Sequence, residues 1–115
     1  MKTFKNLLVQ VTQNGMGSGD TALGLQLIEN YFTLVSEESV LPQVIAFYNG
    51  GVKLLAAESP VVSVLKLLEQ RGVRLVACKT CLKHFGLIDK TAVGIPGTMA
   101  DIIELQKVAD KVVSL

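Results

Sequence analysis

The sequence predicts an α/β fold, a three-layer α/β/α sandwich around a mostly parallel five-stranded sheet. Three observations predict it. Short runs rich in β-branched residues alternate with longer stretches of helical period along the chain, and each junction carries glycine, proline or a capping residue. Half of the 115 residues are hydrophobic but only 5% are aromatic, so the core is built from Val, Leu, Ile and Ala. The length fits one domain, residues 1–115, since domains commonly run about 100–150 residues. Strands separated by helices pair in parallel through crossovers, and such a sheet is covered on both faces.

"NLLVQVTQ" (6–13) reads as the first strand, and "NGMGSG" (14–19) as the turn that ends it. Asp20 is placed to N-cap a helix to about Ser36, with an apolar stripe of Leu23, Leu27, Ile28, Tyr31, Phe32 and Val35. "QVIAFYN" (43–49) is the second strand, ended by Gly50-Gly51. Ser59-Pro60 marks a helix start, serine as N-cap and proline at the first helical position, and Gly72 stands at its end. Val61, Val64, Leu65 and Leu68 space out its buried face. "VRLVAC" (73–78) is the third strand, followed by a short helix from about Thr80 to Phe85, stopped by Gly86. "TAVGIP" (91–96) is a weaker fourth strand. Thr98 to Asp101 resembles a capping box opening a helix to about Ala109, and "KVVSL" (111–115) is the last strand.

The formal net charge is +1, from eleven Lys and Arg against ten Asp and Glu, which makes no case for nucleic acid or an anionic membrane. Its distribution is uneven: residues 71–90 carry Arg71, Arg74, Lys79, Lys83 and Lys90 against Asp89, a positive stretch expected to surround the cysteines. The N-terminal "MKTFKNLLVQVTQNG" has a short, interrupted apolar run and no small-residue cleavage site, so it does not read as a signal peptide. No uncharged apolar run reaches the roughly 18–20 residues of a membrane-spanning helix. The expected location is the cytoplasm, where two cysteines are thiols with chemistry more often than a structural bridge.

Both cysteines lie in "LVACKTCLKHFG" (75–86), Cys78 at the strand exit and Cys81 three residues on, beside the only histidine, His84. Nearby cations, Lys79 and Lys83, favour thiolate over thiol. A thiol of ordinary pKa, about 8.5, is only a few per cent ionised at neutral pH, so even a modest lowering raises the nucleophilic fraction several-fold. Against this stands the plain reading that Cys78 is a small buried residue ending an apolar strand. Cys78, Cys81 and His84 lack the second ligand pair of a structural zinc site, so no metal is expected. The loop "NGMGSGD" follows a strand and opens a helix, the setting in which backbone amides cradle phosphate. Its spacing departs from the dinucleotide fingerprint, and no cofactor is expected. In parallel α/β sheets the reacting group sits beyond the carboxyl ends of the strands, so loops 14–20, 49–58 and 78–81 are expected to converge on one edge. These readings leave three functions open: a reactive thiol carrier, a small-molecule or nucleotide-binding module using the 14–20 loop, and a dithiol redox protein.

Four blocks, "MGSGDTALG" (16–24), "YNGGVKLL" (48–55), "ACKTCLKHFGL" (77–87) and "VGIPGTMADII" (93–103), resemble successive blocks of the DsrE/DsrF-like proteins. The similarity is greatest to the C-terminal domain of the YedF group of selenium-metabolism sulfurtransferases. The resemblance implies an α/β homo-oligomer in a sulfur relay, with selenium as an alternative cargo, that passes a cysteine persulfide between carriers. The relay cysteine of that family lies at the end of the third strand, eight residues before a glycine, and Cys78 stands eight before Gly86. It further implies Cys81 as a secondary thiol, with Gly17, Gly19, Asp20, Asn49, Gly51, Lys79, Thr80 and Met99 lining the site. Lys79 replaces the glycine usual between the YedF cysteines, Asn14 an expected Asp, and Thr98 and Ala100 the usual neighbours of Met99. The YedF proteins carry an N-terminal domain resembling the small sulfur carrier TusA, so the partner expected here is a separate TusA-like protein.

Overall fold

A computed structural model describes residues 6–115, so the reading of the N-terminal stretch lies in part outside the described residues. Its elements follow the predicted order: β1 (Leu7–Val11), α1 (Thr21–Ser36), β2 (Val44–Phe47), a 3-10 turn (Asn49–Leu55), α2 (Val62–Gln70), β3 (Arg74–Cys78), α3 (Lys79–His84), β4 (Ile95–Gly97), α4 (Met99–Val108) and β5 (Lys111–Ser114). The strands form one sheet in the order β4-β3-β2-β1-β5, and every neighbouring pair is parallel.

That order explains the layers. From β1 to β4 the chain steps across the sheet in one direction, and right-handed crossovers put the intervening helices on one face; the return from β4 to β5 reverses the direction and puts α4 on the other. Side-chain alternation agrees. Leu7, Val9, Val11, Ile45, Phe47, Leu75 and Ala77 pack with Ile28 and Phe32 of α1, Leu65 and Leu68 of α2, and Leu82 of α3. Leu8, Val44, Ala46 and Val76 point the opposite way, towards Leu105 of α4 and Ala109. Removing one such Leu or Phe side chain from water is worth about 1.5–3 kcal/mol, so the first face carries most of the hydrophobic stabilisation. The second face is completed by polar contacts: buried Gln10 donates from Nε2 to Ser114 Oγ at 2.7 Å and accepts from Gln106 Nε2 at 2.6 Å.

Two local signals act where they were read. The Asp20 carboxylate accepts from the Leu23 N–H at 2.8 Å and starts α1. Thr98 and Asp101 complete a reciprocal capping box at α4. The third signal falls short of the helix: Ser59 Oγ accepts from the Val61 N–H, but α2 begins at Val62 with Val61 as its N-cap and no side-chain cap, so Ser59 is not the N-cap and Pro60 is not the first helical residue.

Three further expectations need correction. The buried stripe of α1 is Gly24, Ile28, Phe32 and Ser36, while Leu23 and Leu27 are exposed and Tyr31 and Val35 half-buried. Gly24 faces the 14–20 loop: its carbonyl accepts from the Met16 N–H at 2.9 Å, and Gly15 lies so close beneath it that a Cβ on Gly15 would meet the Gly24 carbonyl carbon at 2.8 Å. The fourth strand is Ile95–Gly97 and not 91–96, because the Ala92 N–H is taken by the Leu55 carbonyl and Thr91 bridges to Ala56. Pro96 is tolerated there because β4 is an edge strand. Residues 49–55 form a 3-10 turn where the sequence reading placed only a loop.

Candidate functional site: a dithiol at the end of strand three

Strand β3 is buried from Leu75 to Cys78, and its last residue is in register with Gly97, the last of β4. Beyond these two residues the connections part, one to α3 on the first face and one to α4 on the second. Such a divergence opens a crevice at the carboxyl edge, the usual place for chemistry in an open parallel sheet.

Cys78 ends the strand with extended backbone angles, φ −62° and ψ 118°, and is the N-cap of α3. The side chain of an N-cap residue sits over the third helical residue, which here is Cys81. The Cys78 thiol makes no capping bond to the helix; it hydrogen-bonds the Cys81 side chain instead. Both thiols are free, Cys78 only 3% exposed and Cys81 half-buried.

A third group comes from the turn after β2. The Asn49 N–H donates to Cys81 Sγ at 3.0 Å. Asn49 has φ 52°, a left-handed conformation that asparagine tolerates better than most residues. Two contacts hold the turn in this position: the Tyr48 N–H donates to the Val11 carbonyl at 3.1 Å, and Gly51 lies so close to β1 that a Cβ there would meet the Val11 oxygen at 2.1 Å. Gly51 is therefore buried, and it sets how closely the turn approaches β1.

Opposing influences act on the Cys81 thiol. Burial pushes the Cys81 thiol up, and the hydrogen bond to Cys78 and the charge on Cys78 push the same way, while the Asn49 N–H pulls it down. A negative charge on Cys78 disfavours a second one on the sulfur beside it, which is why it acts on Cys81 in the same direction as burial. Lys79 and Thr80, between the cysteines, are exposed, as are Lys83 and His84 one turn on. His84 packs edge-on against Phe85 at 4.9 Å between ring centres, and Lys53 places its Nζ 4.5 Å from the same ring. The positive stretch does not surround the cysteines as a whole: Arg74 opens β3 at the opposite end of the strand, and Arg71 donates to the Ser36 carbonyl. Lys53, distant in sequence, joins the rim instead. Among the described residues no three His, Cys, Asp or Glu side chains are grouped to hold a metal ion.

The other expected residues fall into two places. Gly17, Gly19 and Asp20, with Gln13, Asn14, Ser18, Thr21 and Gly24, line a separate depression of ≈ 200 Å³. Neither cysteine lines it. Its anion-binding end, the N-terminus of α1, already holds the Asp20 carboxylate, whose charge disfavours phosphate there. Met99 opens α4 after β4 and is 52% exposed. The three loops do adjoin, in the order of their strands: Gly50 packs on Asn14, and Asn49 touches Cys81. Sequence reasoning did not single out Thr12 and Gln13, which with Asn14, Asn49 and Gly50 line a polar depression of ≈ 380 Å³. Asn49 was expected to line the site, and it is its backbone N–H that meets Cys81. The signal was present in Asn-Gly-Gly, a run suited to left-handed backbone.

The fold has solved counterparts. The ychN protein from E. coli superposes with a TM-score of 0.67 at 20% identity, covering 95% of this chain and 97% of that one. A protein of unknown function from Methanobacterium thermoautotrophicum, MTH1491, gives 0.67 at 23% identity with the same coverage. BT1422 from Bacteroides thetaiotaomicron, also of unknown function, gives 0.61 at 17% identity, covering 96% and 95%. These likenesses concern the fold. Comparison with curated protein sequences gives no match. The model of the DsrE/DsrF-like family, which is associated with sulfur relay generally, matches residues 5–115, and the chain belongs to that family.

Proposed function

We propose that this protein is a sulfur-relay carrier that accepts sulfane sulfur on Cys78 as a persulfide and passes it to a partner protein. The observation that carries the reading is the thiol pair at the carboxyl end of β3, where the chain diverges to opposite faces and Asn49 reaches across to Cys81. The Cys78 thiolate attacks the outer sulfur of a donor persulfide, a new S–S bond forms at Cys78, and the donor cysteine leaves as a thiolate. Lys79 and Lys83, exposed beside the pair, favour the anionic donor and the anionic product. Cys78 is nearly closed to solvent, so the donor must present its sulfur on a narrow tip.

The YedF resemblance adds selenium as an alternative cargo and a separate TusA-like protein as the exchange partner. A homo-oligomer is supported by the exposed apolar line of Leu23, Leu27 and Leu34 on α1, one helical face left facing water. Among the described residues no helix is long and apolar enough to cross a membrane. A reducing cytoplasm is the compartment in which both thiols stay free.

Intact-protein mass spectrometry after incubation with a persulfide donor, followed by peptide mapping, tests the reading. One sulfur mass gained on Cys78 and removed by reductant is the expected result. Full loading of Cys78→Ser, or two thiols that take no sulfur and alkylate slowly, would overturn it.

A further inference from the structure

We propose that Cys81 is a resolving thiol, closing on a loaded Cys78 to form a Cys78–Cys81 disulfide and expelling the carried sulfur as hydrosulfide when no acceptor takes it. This rests on Cys78 being the carrier.

The geometry supports it on three counts. Cys78 as N-cap and Cys81 as the third helical residue put the two side chains over one another on the same turn. No helix amide engages the Cys78 thiol, so no capping bond has to break for its sulfur to meet its neighbour. The Asn49 N–H, 3.0 Å from Cys81 Sγ, holds that sulfur at the pair and steadies the charge it carries as it attacks. Lys79 and Thr80, the only residues between the cysteines, both point to solvent and do not stand between the sulfurs.

The step balances without an outside oxidant. Cys81 Sγ attacks Cys78 Sγ, the bond between Cys78 Sγ and the outer sulfur breaks, and that sulfur leaves with the proton Cys81 gives up, as hydrosulfide. The Cys81 sulfur is oxidised and the sulfane sulfur reduced. Two equivalents of a small-molecule thiol then return the disulfide to the dithiol by exchange through a mixed disulfide, supplying two electrons and leaving joined as their own disulfide. The carrier thus holds its sulfur for a limited time, and an acceptor has to reach Cys78 before Cys81 does.

The test loads wild type and Cys81→Ser with inorganic polysulfide without oxygen, removes the excess, and follows released sulfide beside non-reducing peptide maps. Wild type should release one sulfide for each Cys78–Cys81 disulfide formed, while Cys81→Ser keeps its persulfide at least about tenfold longer, having no thiol to close on it. Loss of sulfide from Cys81→Ser at the wild-type rate, or a wild-type persulfide that persists with no disulfide, would overturn the resolving role and leave the carrier intact. Absence of sulfur on Cys78 in both proteins would overturn the carrier reading and the resolving role with it.

Discussion

The loop after β1 and the turn after β2 both use glycines at the carboxyl edge, for opposite physical reasons. Gly17 and Gly19 have φ of +76° and +119° and nothing within 4 Å of where a Cβ would stand. They supply a backbone shape that L side chains resist. Gly51 has an ordinary backbone, but a Cβ on it would strike the Val11 carbonyl. It supplies an approach. The first loop forms a rim that neither thiol lines, whereas the second brings a backbone N–H onto Cys81. A glycine-rich motif that looks like the binding loop can therefore be the less important of two, when a quieter glycine sets the distance between elements.

Substitutions separate the two cases. Gly51→Ala should have the largest effect, about 3 kcal/mol of stability lost through overpacking, because β1 or the turn must shift. Urea unfolding reads the loss, and Cys81 alkylation kinetics should change with it, since the turn carries Asn49. Gly17→Ala should cost about 1–2 kcal/mol for its left-handed backbone, with alkylation of both cysteines unchanged. A change in thiol kinetics there would mean that the two loops are coupled. Asp20→Ala removes the cap of α1 and should cost about 1 kcal/mol by the same unfolding assay. Asn49→Gly keeps the backbone donor and the left-handed conformation, so stability should move by only about 0.5 kcal/mol and Cys81 should titrate as before. A large shift would implicate the asparagine side chain.

The final test leaves both loops in place. Cys81 should alkylate with a midpoint above the ordinary thiol range, because burial and Cys78 raise its pKa more than the Asn49 N–H lowers it. Cys78→Ala removes two of the raising causes and should bring the midpoint down; no downward movement would mean that burial alone holds the thiol. For folding the sign is fixed. A thiol that binds its proton more tightly when folded adds stability below its unfolded pKa, and that contribution is lost as pH rises through the folded value.

Much of the fold was legible because its signals are local. Asp20 and the Leu23 N–H, or Thr98 and Asp101, lie within one helical turn of each other. The fourth strand was misplaced because a hydrogen bond from Ala92 to Leu55 takes its first residues away from the sheet, and no pattern within 91–97 announces a partner so far back in the chain. The face of α1 differs for a similar reason: leucines at helical spacing look like core, but the helix turns Gly24, Ile28, Phe32 and Ser36 inward, with Gly24 bonded to Met16, and leaves Leu23 and Leu27 in water.

By itself the sequence determined the order of strands and helices, the caps of α1 and α4, and the placement of two thiols on one turn, because each depends on residues a few positions apart. The tertiary structure decided what surrounds the thiols. Asn49 stands 32 residues from Cys81, and Lys53 reaches the ring of Phe85 from another element. Those meetings follow from strand order and register, which depend on how the apolar faces of distant segments pack together.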